Sequence, residues 1–302
     1  MKIVVARELG MCFGVRDALA LTESIAEPSR ITIHGELVHN EKVLDRLRER
    51  GFAQQPESSR RSLPTTDAVL VTAHGISQRE RARLEAAGKT ILDSTCPLVT
   101  RAHDAAQALQ RDGFHVLVIG KPGHVEVQGI IDDLDSYTLV PGPDDVIEYP
   151  NARLGIMCQT TTPVEHADSV IAEVRRKNPH AEVRIVDTIC HPTKDRQEAL
   201  ERLLDEVEAV VVVGGRNSNN TRQLVRRCEE RGKRAFHVQG PDDVRDEWFL
   251  GLSIVGLTAG TSTLAATIDD VHERLRRVSA IVSQQAEGDG DPSAAIHCEL
   301  RA

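Results

Sequence analysis

The stretch Asp93-Ser94-Thr95-Cys96-Pro97-Leu98-Val99 decides how the rest of the chain is read. A short apolar run, Thr90-Ile91-Leu92, leads into it, and a helical pattern follows the cysteine at once. A second apolar run, Val116-Leu117-Val118-Ile119, then ends at Gly120, ahead of a loop that carries His124 and Glu126. A strand, a helix and a further strand in this order form a βαβ unit, whose polar loops gather at one end of a parallel sheet.

The unit recurs twice more. Cys12, Cys96 and Cys190 each close a strand and open a helix, 84 (96 − 12) and 94 (190 − 96) residues apart. The next strand ends at Gly35, Gly120 or Gly214, which lie 23 (35 − 12), 24 (120 − 96) and 24 (214 − 190) positions on. In the loops beyond, His39 stands at 27 (39 − 12), while His124 and Ser218 both stand at 28 (124 − 96, 218 − 190). Glu126 and Asn220 both fall at 30 (126 − 96, 220 − 190). Each third then offers a second polar loop: Ala73-His74-Gly75, Gln159-Thr160-Thr161-Thr162 and Ala259-Gly260-Thr261-Ser262-Thr263. Self-similarity at a fixed period marks a repeated architecture.

Val- and Ile-rich runs alternate with amphipathic segments along the chain, which predicts mainly parallel sheets. Strands are expected at Ile3-Val5, Ile31-His34, Ala68-Thr72, Thr90-Leu92, Val116-Ile119, Gly155-Cys158, Val183-Val186, Ala209-Val213 and Ser253-Leu257. Helices are expected at 14–27, 40–50, 77–88, 99–112, 164–178, 194–208 and 219–232. The reading is an α/β protein of three similar small α/β domains, 1–95, 96–189 and 190–282, around a pseudo-threefold axis. The Gly- and Asp-rich segment 283–302 reads as a flexible tail.

Composition narrows the function. With 302 residues, a net charge of −9 and only 3% aromatics, the chain lacks the basic field and stacking platforms of a nucleic-acid binder. The apolar run at Met1–Ala6 is too short for a signal peptide, and no stretch is long enough to span a membrane, so a cytoplasmic protein is expected. Six cysteines without close pairs do not form a disulfide framework. Cys158, Cys228 and Cys298 read as packing or incidental residues.

Three converging cysteines suit few groups. Structural zinc takes four protein ligands, and a cubane iron–sulfur cluster normally takes four thiolates. With three, one iron stays open, as catalytic metals keep a position for substrate, and the helix behind each cysteine favours negative charge. His39, His74 and His124, with Ser218, Asn220 and Ser262, make a donor set suited to diphosphate, although no Walker loop is present. In an extended segment Glu126 would point the same way as His124, and nearby negative charge would keep its carboxyl protonated as a proton donor. The donor set alone leaves other readings open: an iron–sulfur (de)hydratase or condensing enzyme of the quinolinate-synthase type, and a non-catalytic metal or redox sensor.

Read together, Met11-Cys12-Phe13-Gly14-Val15, Val38-His39-Asn40, Asp93 to Val99, Gly123-His124-Val125-Glu126, Gln159-Thr160-Thr161, Asp187-Thr188-Ile189-Cys190, Asn217-Ser218-Asn219-Asn220 and Thr258-Ala259-Gly260-Thr261-Ser262 are specific. From residue 1 to about 280 the chain closely resembles the 4-hydroxy-3-methylbut-2-enyl diphosphate reductases, terminal enzymes of the non-mevalonate isoprenoid pathway. The resemblance implies a 4Fe–4S cluster on Cys12, Cys96 and Cys190 with one open iron. It implies diphosphate contacts from His39, His74, His124, Ser218, Asn219, Asn220 and Ser262. Glu126 would be the proton source, with Thr160 beside the substrate hydroxyl and a ferredoxin or flavodoxin as electron donor. Asn219 stands where serine is common, and His191, Val125 and Leu264 also depart from the usual pattern. A donor at His191 would be placed to tune the cluster.

Overall fold

The computed structural model describes residues 1–288. The chain opens with β1 (Lys2–Val5), α1 (Phe13–Ser24), β2 (Ile31–His34), α2 (Glu41–Glu49) and β3 (Ala53–Gln55). There follow β4 (Ala68–Val71), α3 (Gln78–Ala86), β5 (Thr90–Asp93), α4 (Pro97–Arg111), β6 (His115–Ile119), α5 (Val125–Ile131) and β7 (Tyr137–Val140). The remainder is β8 (Arg153–Cys158), α6 (Val164–Lys177), β9 (Glu182–Ile185), α7 (His191–Leu204), β10 (Ala209–Val213), α8 (Asn219–Glu230), β11 (Arg234–Val238), β12 (Ile254–Ala259) and α9 (Ala265–Gly288).

The described strands form three four-stranded sheets, ordered β3-β2-β4-β5, β7-β6-β8-β9 and β11-β10-β12-β1, with every pairing parallel. The orders are identical once β1 is matched to β5 and β9. β1 therefore leaves the first third of the chain, where it was expected, and pairs with β12 in the third sheet, Lys2 against Ile254 through Val5 against Leu257. The reason is topological. In the first sheet the edge beside β4 is taken by β5, and the equivalent edge of the third sheet is free only for a strand from elsewhere.

Each cysteine thus marks a crossing between lobes. Cys12, Cys96 and Cys190 follow the edge strands β1, β5 and β9 and stand immediately before α1, α4 and α7. Those helices pack on the next sheet: Val15 and Ala18 against Ile31 and Ile33, Ala102 and Ala106 against Val116 and Val118, Leu200 and Leu204 against Val210 and Val212. The five-residue strand β10 is wholly buried, as a central strand covered on both faces should be.

Some elements escape the hydrophobic pattern. β3, β7 and β11 were not expected; each lies at a sheet edge, and Ala53-Gln54-Gln55 carries little apolar signal. α5 replaces the extended segment expected after His124. α9 runs past Ser283 to Gly288, and the rest of the expected tail, with His297 and Cys298, lies outside the described residues. Among the described residues no helix is long and apolar enough to cross a membrane.

Candidate active site

The three cysteine turns are built alike. The backbone N–H of Cys12 donates to the carbonyl of Thr261 at 3.1 Å, that of Cys96 to Ala73 at 3.1 Å and that of Cys190 to Thr160 at 2.9 Å. Each carbonyl belongs to the second polar loop of a lobe, so every cysteine is fixed by the loops beside which it must work. None of the three thiols is the side-chain cap of its own helix, and the Sγ of Cys190 donates to Thr193 Oγ1 at 3.1 Å. Gly14 permits their approach: a Cβ there would stand 2.5 Å from the Sγ of Cys96. Burial pushes the Cys96 thiol up, and it pushes Cys190 to about 11 against hydrogen bonds from Thr193. In the bare protein desolvation thus outweighs the helix N-terminus; metal coordination would reverse that balance, because a coordinated thiol is deprotonated.

One chamber is lined by all twelve residues singled out from the sequence. His39, His74 and His124 stand together, with ring centroids 4.5 Å apart for His39–His74, 5.4 Å for His39–His124 and 5.6 Å for His74–His124. Burial, reinforced by the neighbouring imidazoles, holds His74 well below the usual histidine range and brings His124 to about 3. These two are neutral N–H donors in the bare chamber. The Nε2 of His74 is shielded from solvent without a protein partner, a cost that a bound acceptor would remove. The Nδ1 of His39 is fixed by Glu36 Oε2 at 2.7 Å.

The third lobe supplies the other donors. Ser218 caps α8, its Oγ accepting from Thr221 N at 3.3 Å, and Asn220 Oδ1 accepts from Thr261 N at 3.0 Å. Asn219 Nδ2 donates to Thr161 Oγ1 of the second lobe at 3.2 Å, and Ser262 Oγ donates to the His39 carbonyl of the first at 3.3 Å. The structure also corrects the repeat. Asn40, not His39, holds the cap position of α2 that His124 holds for α5 and Ser218 for α8. Asn40 stands 28 residues after Cys12 (40 − 12), so all three caps share one offset.

Glu126 lies in the first turn of α5, with His124 as its cap; the Glu126 N–H donates to His124 Nδ1 at 3.2 Å. Its side chain is 1% exposed. Oε1 accepts from Thr160 N at 2.6 Å and Oε2 from Thr160 Oγ1 at 2.9 Å. Burial still dominates and lifts the carboxyl to about 7. The expected protonation therefore has a different main cause, desolvation in place of neighbouring negative charge. The same Thr160 residue that donates to Glu126 accepts from Cys190, which ties the acid to a cysteine through one peptide unit.

Sequence reasoning assigned no role to Gly14, Thr161, Thr193 and Thr261 or to the apolar wall of Val15, Val38, Leu98 and Val99, all of which line the chamber. Their signal was position: they flank the cysteines and the second loops. Cys158 and Cys228 are buried in cores, each raised to about 12 by burial.

A family model described as LytB protein matches residues 3–276. The chain belongs to the LytB family. It is 34% identical to the 4-hydroxy-3-methylbut-2-enyl diphosphate reductase of Shewanella pealeana, with all of both chains covered. It is 35% identical to the reductase of that name from Anaeromyxobacter sp., covering 91% of this chain and 97% of the relative. Among solved structures, that of (E)-4-hydroxy-3-methyl-but-2-enyl diphosphate reductase, the terminal enzyme of the non-mevalonate pathway, matches at 31% identity and a TM-score of 0.65, covering 92% and 100%. The Plasmodium falciparum E-1-hydroxy-2-methyl-but-2-enyl-4-diphosphate reductase shares the fold at a TM-score of 0.83 and 24% identity, covering 90% and 87%. The departures at three positions in this LytB chain leave the chamber itself untouched. Val125 is buried in α5, Leu264 packs on the first core, and His191 is exposed and stacked on Phe13 at 5.7 Å. His191 does not line the chamber but a cleft that also reaches Cys190.

Proposed function

We propose that the chain reductively removes the hydroxyl group of 4-hydroxy-3-methylbut-2-enyl diphosphate. Two electrons and two protons are consumed, water leaves, and isopentenyl and dimethylallyl diphosphates are formed. Family membership and the names of the relatives support the reaction. The observation that carries it is Glu126: a fully buried carboxyl lifted to about 7, in one chamber with three cysteine thiols and a ring of neutral donors.

Cys12, Cys96 and Cys190 would hold a 4Fe–4S cluster. Among the described residues no three His, Cys, Asp or Glu are arranged to hold a single metal ion. When bound, the cluster supplies electrons and an iron without a protein ligand. His39, His74, His124, Ser218, Asn219, Asn220 and Ser262 would grip the diphosphate, helped by the positive N-terminal end of α8. The orphaned Nε2 of His74 fits that use. The wall of Val15, Val38, Leu98 and Val99 would pack the butenyl carbons and exclude water. Glu126 would deliver a proton to the departing oxygen, with Thr160 Oγ1 orienting both.

Anaerobic purification, iron and sulfide counts, and an absorption spectrum test the cofactor. Adding the diphosphate with a reduced low-potential donor tests the reaction. An iron–sulfur spectrum with loss of water is the expected result. A reducible cluster that leaves the substrate intact would overturn the assignment in favour of non-redox chemistry, and zinc in place of iron would overturn both.

A further inference from the structure

Of the three chamber imidazoles, only His39 is backed by a carboxylate among the described residues: Glu36 Oε2 lies 2.7 Å from its Nδ1. Glu36 does not itself line the chamber. It sits in the loop between β2 and α2, and its placement is secured from behind. The Glu36 N–H donates to Glu57 Oε1 at 3.0 Å, Glu57 Oε2 pairs with Arg60 Nε at 2.9 Å, and Arg60 Nε donates to the His34 carbonyl at 3.1 Å. Gly35 makes room for this stack: its φ is +103°, and a Cβ there would stand 2.4 Å from Glu57 Oε1.

The hydrogen-bond roles follow from these contacts. A carboxylate only accepts, so Nδ1 of His39 carries a proton, and in the neutral ring Nε2 is then a bare acceptor. That Nε2 has no protein partner among the described residues, on a ring that lines the chamber. A diphosphate oxygen is also an acceptor, and against it a neutral His39 would set two lone pairs face to face. Only the doubly protonated ring donates on both sides. His124 is wired in the opposite sense: its Nδ1 accepts from the Glu126 N–H at 3.2 Å, which leaves Nε2 a donor without any net charge.

The charges around His39 sort the same way. From its own lobe the ring meets Glu36, while Glu57 is paired with Arg60, and Glu41 of α2 is held by Asn217 and Gln239. His74 from the second polar loop and His124 from the cap of α5 are kept neutral by burial, and the carboxyl of Glu126 is protonated below about 7. Lys121 and Arg222 stand on the far side, where they act on His124. Glu36 is the one carboxylate in contact with the ring.

We propose that Glu36 is a positioning residue that makes His39 the one charged donor of the chamber, an imidazolium held between a carboxylate and the diphosphate, while His74 and His124 donate as neutral rings. The proposal rests on the diphosphate reading of the chamber given above. A hydrogen bond from a charged donor to an anion is about twice as strong as one between neutral groups, so one such ring gives the site its anchor.

Glu36→Gln removes the negative charge and keeps the shape. Because the carboxylate favours the imidazolium, its loss makes His39 give up the second proton at lower pH, and the binding deficit grows as pH rises. The test titrates inorganic pyrophosphate into the anaerobic holoenzyme by calorimetry between about pH 6 and pH 9, for wild type, Glu36→Gln, His39→Asn and the double variant. Ratios of dissociation constants between proteins cancel the probe's own titration. Wild type and Glu36→Gln should bind alike at the acid end, and the variant about tenfold more weakly at the alkaline end, the effect of a one-unit shift. In the His39→Asn background the Glu36→Gln change should cost nothing further at any pH. A deficit of equal size at every pH would overturn the proposal, since the glutamate would then only shape its loop, and so would the absence of any deficit. Loss of the iron–sulfur spectrum in Glu36→Gln would overturn it as well, because the residue would then serve the fold. A wild type that binds no pyrophosphate at any pH would sink the diphosphate reading itself, and the proposal with it.

Discussion

The second and third lobes make the same contact with different chemistry. In the second, Thr160 N donates to Glu126; in the third, Thr261 N donates to Asn220, and both acceptors stand two residues past a helix cap. Each threonine carbonyl then accepts from a cysteine N–H. The scaffold thus fixes an oxygen acceptor at this point, and the side chain alone decides whether that acceptor can hold a proton. A buried amide stays neutral at any pH, whereas the buried carboxyl is poised at about 7. In the proposed roles, one substitution in a repeated frame separates a proton source from a diphosphate contact.

The comparison can be broken at several levels. The largest effect should come where the lobes are still equivalent: Cys12→Ser, Cys96→Ser and Cys190→Ser should each abolish the iron–sulfur spectrum and all turnover. Cys158→Ser should retain both, and cluster retention in Cys190→Ser would defeat the three-cysteine reading. Next comes the divergent position. Glu126→Gln should keep the spectrum and lower kcat by roughly 10² to 10⁴, the range of a positioned general acid. Asn220→Ala should act mainly on KM, and equal kcat losses in the two variants would erase the distinction. Thr160→Val removes one donor to the Glu126 carboxylate, so the high-pH limb of the kcat profile, where the acid is lost, should move to higher pH, while Thr261→Val leaves it in place.

The smallest effect is on stability. Because the folded carboxyl of Glu126 titrates at about 7 and the free one near 4.5, the native state binds the extra proton. The sign follows: stability is fully present below about pH 4.5 and is lost as pH rises through 7. Urea unfolding of the cluster-free chain should show wild type losing up to roughly 3 kcal/mol relative to Glu126→Gln across that range. Parallel pH curves for the two proteins would remove the argument for a buried, raised acid.

His124, Ser218, Glu126 and Asn220 were legible because the repeat places them at shared offsets from their cysteines; His74 and Ser262 stood out only by lying in the second polar loops, and Asn219 and the role of Thr160 came from the resemblance alone. What depends on the packing of one lobe against another was not legible. The bond from Asn219 to Thr161 and that from Ser262 to His39 join residues 58 and 223 positions apart. α5 was missed because Val125-Glu126-Val127-Gln128-Gly129-Ile130-Ile131 is a seven-residue helix buried almost all round, which leaves no polar face to set a period. β1 was read as a strand but given to the wrong sheet, since its apolar run does not say which edge it completes.

That edge also sets an order of events during synthesis. Cys12 emerges from the ribosome first, yet its turn is held by β12 and by the carbonyl of Thr261. Both partners are made some 250 residues later, whereas Cys96 and Cys190 are fixed by loops that precede them, at Ala73 and Thr160. The earliest cysteine is therefore the last to be positioned. If the three cysteines hold the cluster as proposed, a chain stalled before residue 254 would lack the partners of the first turn, so insertion of iron would wait for the end of translation, and truncation from the C-terminal side would disable the centre.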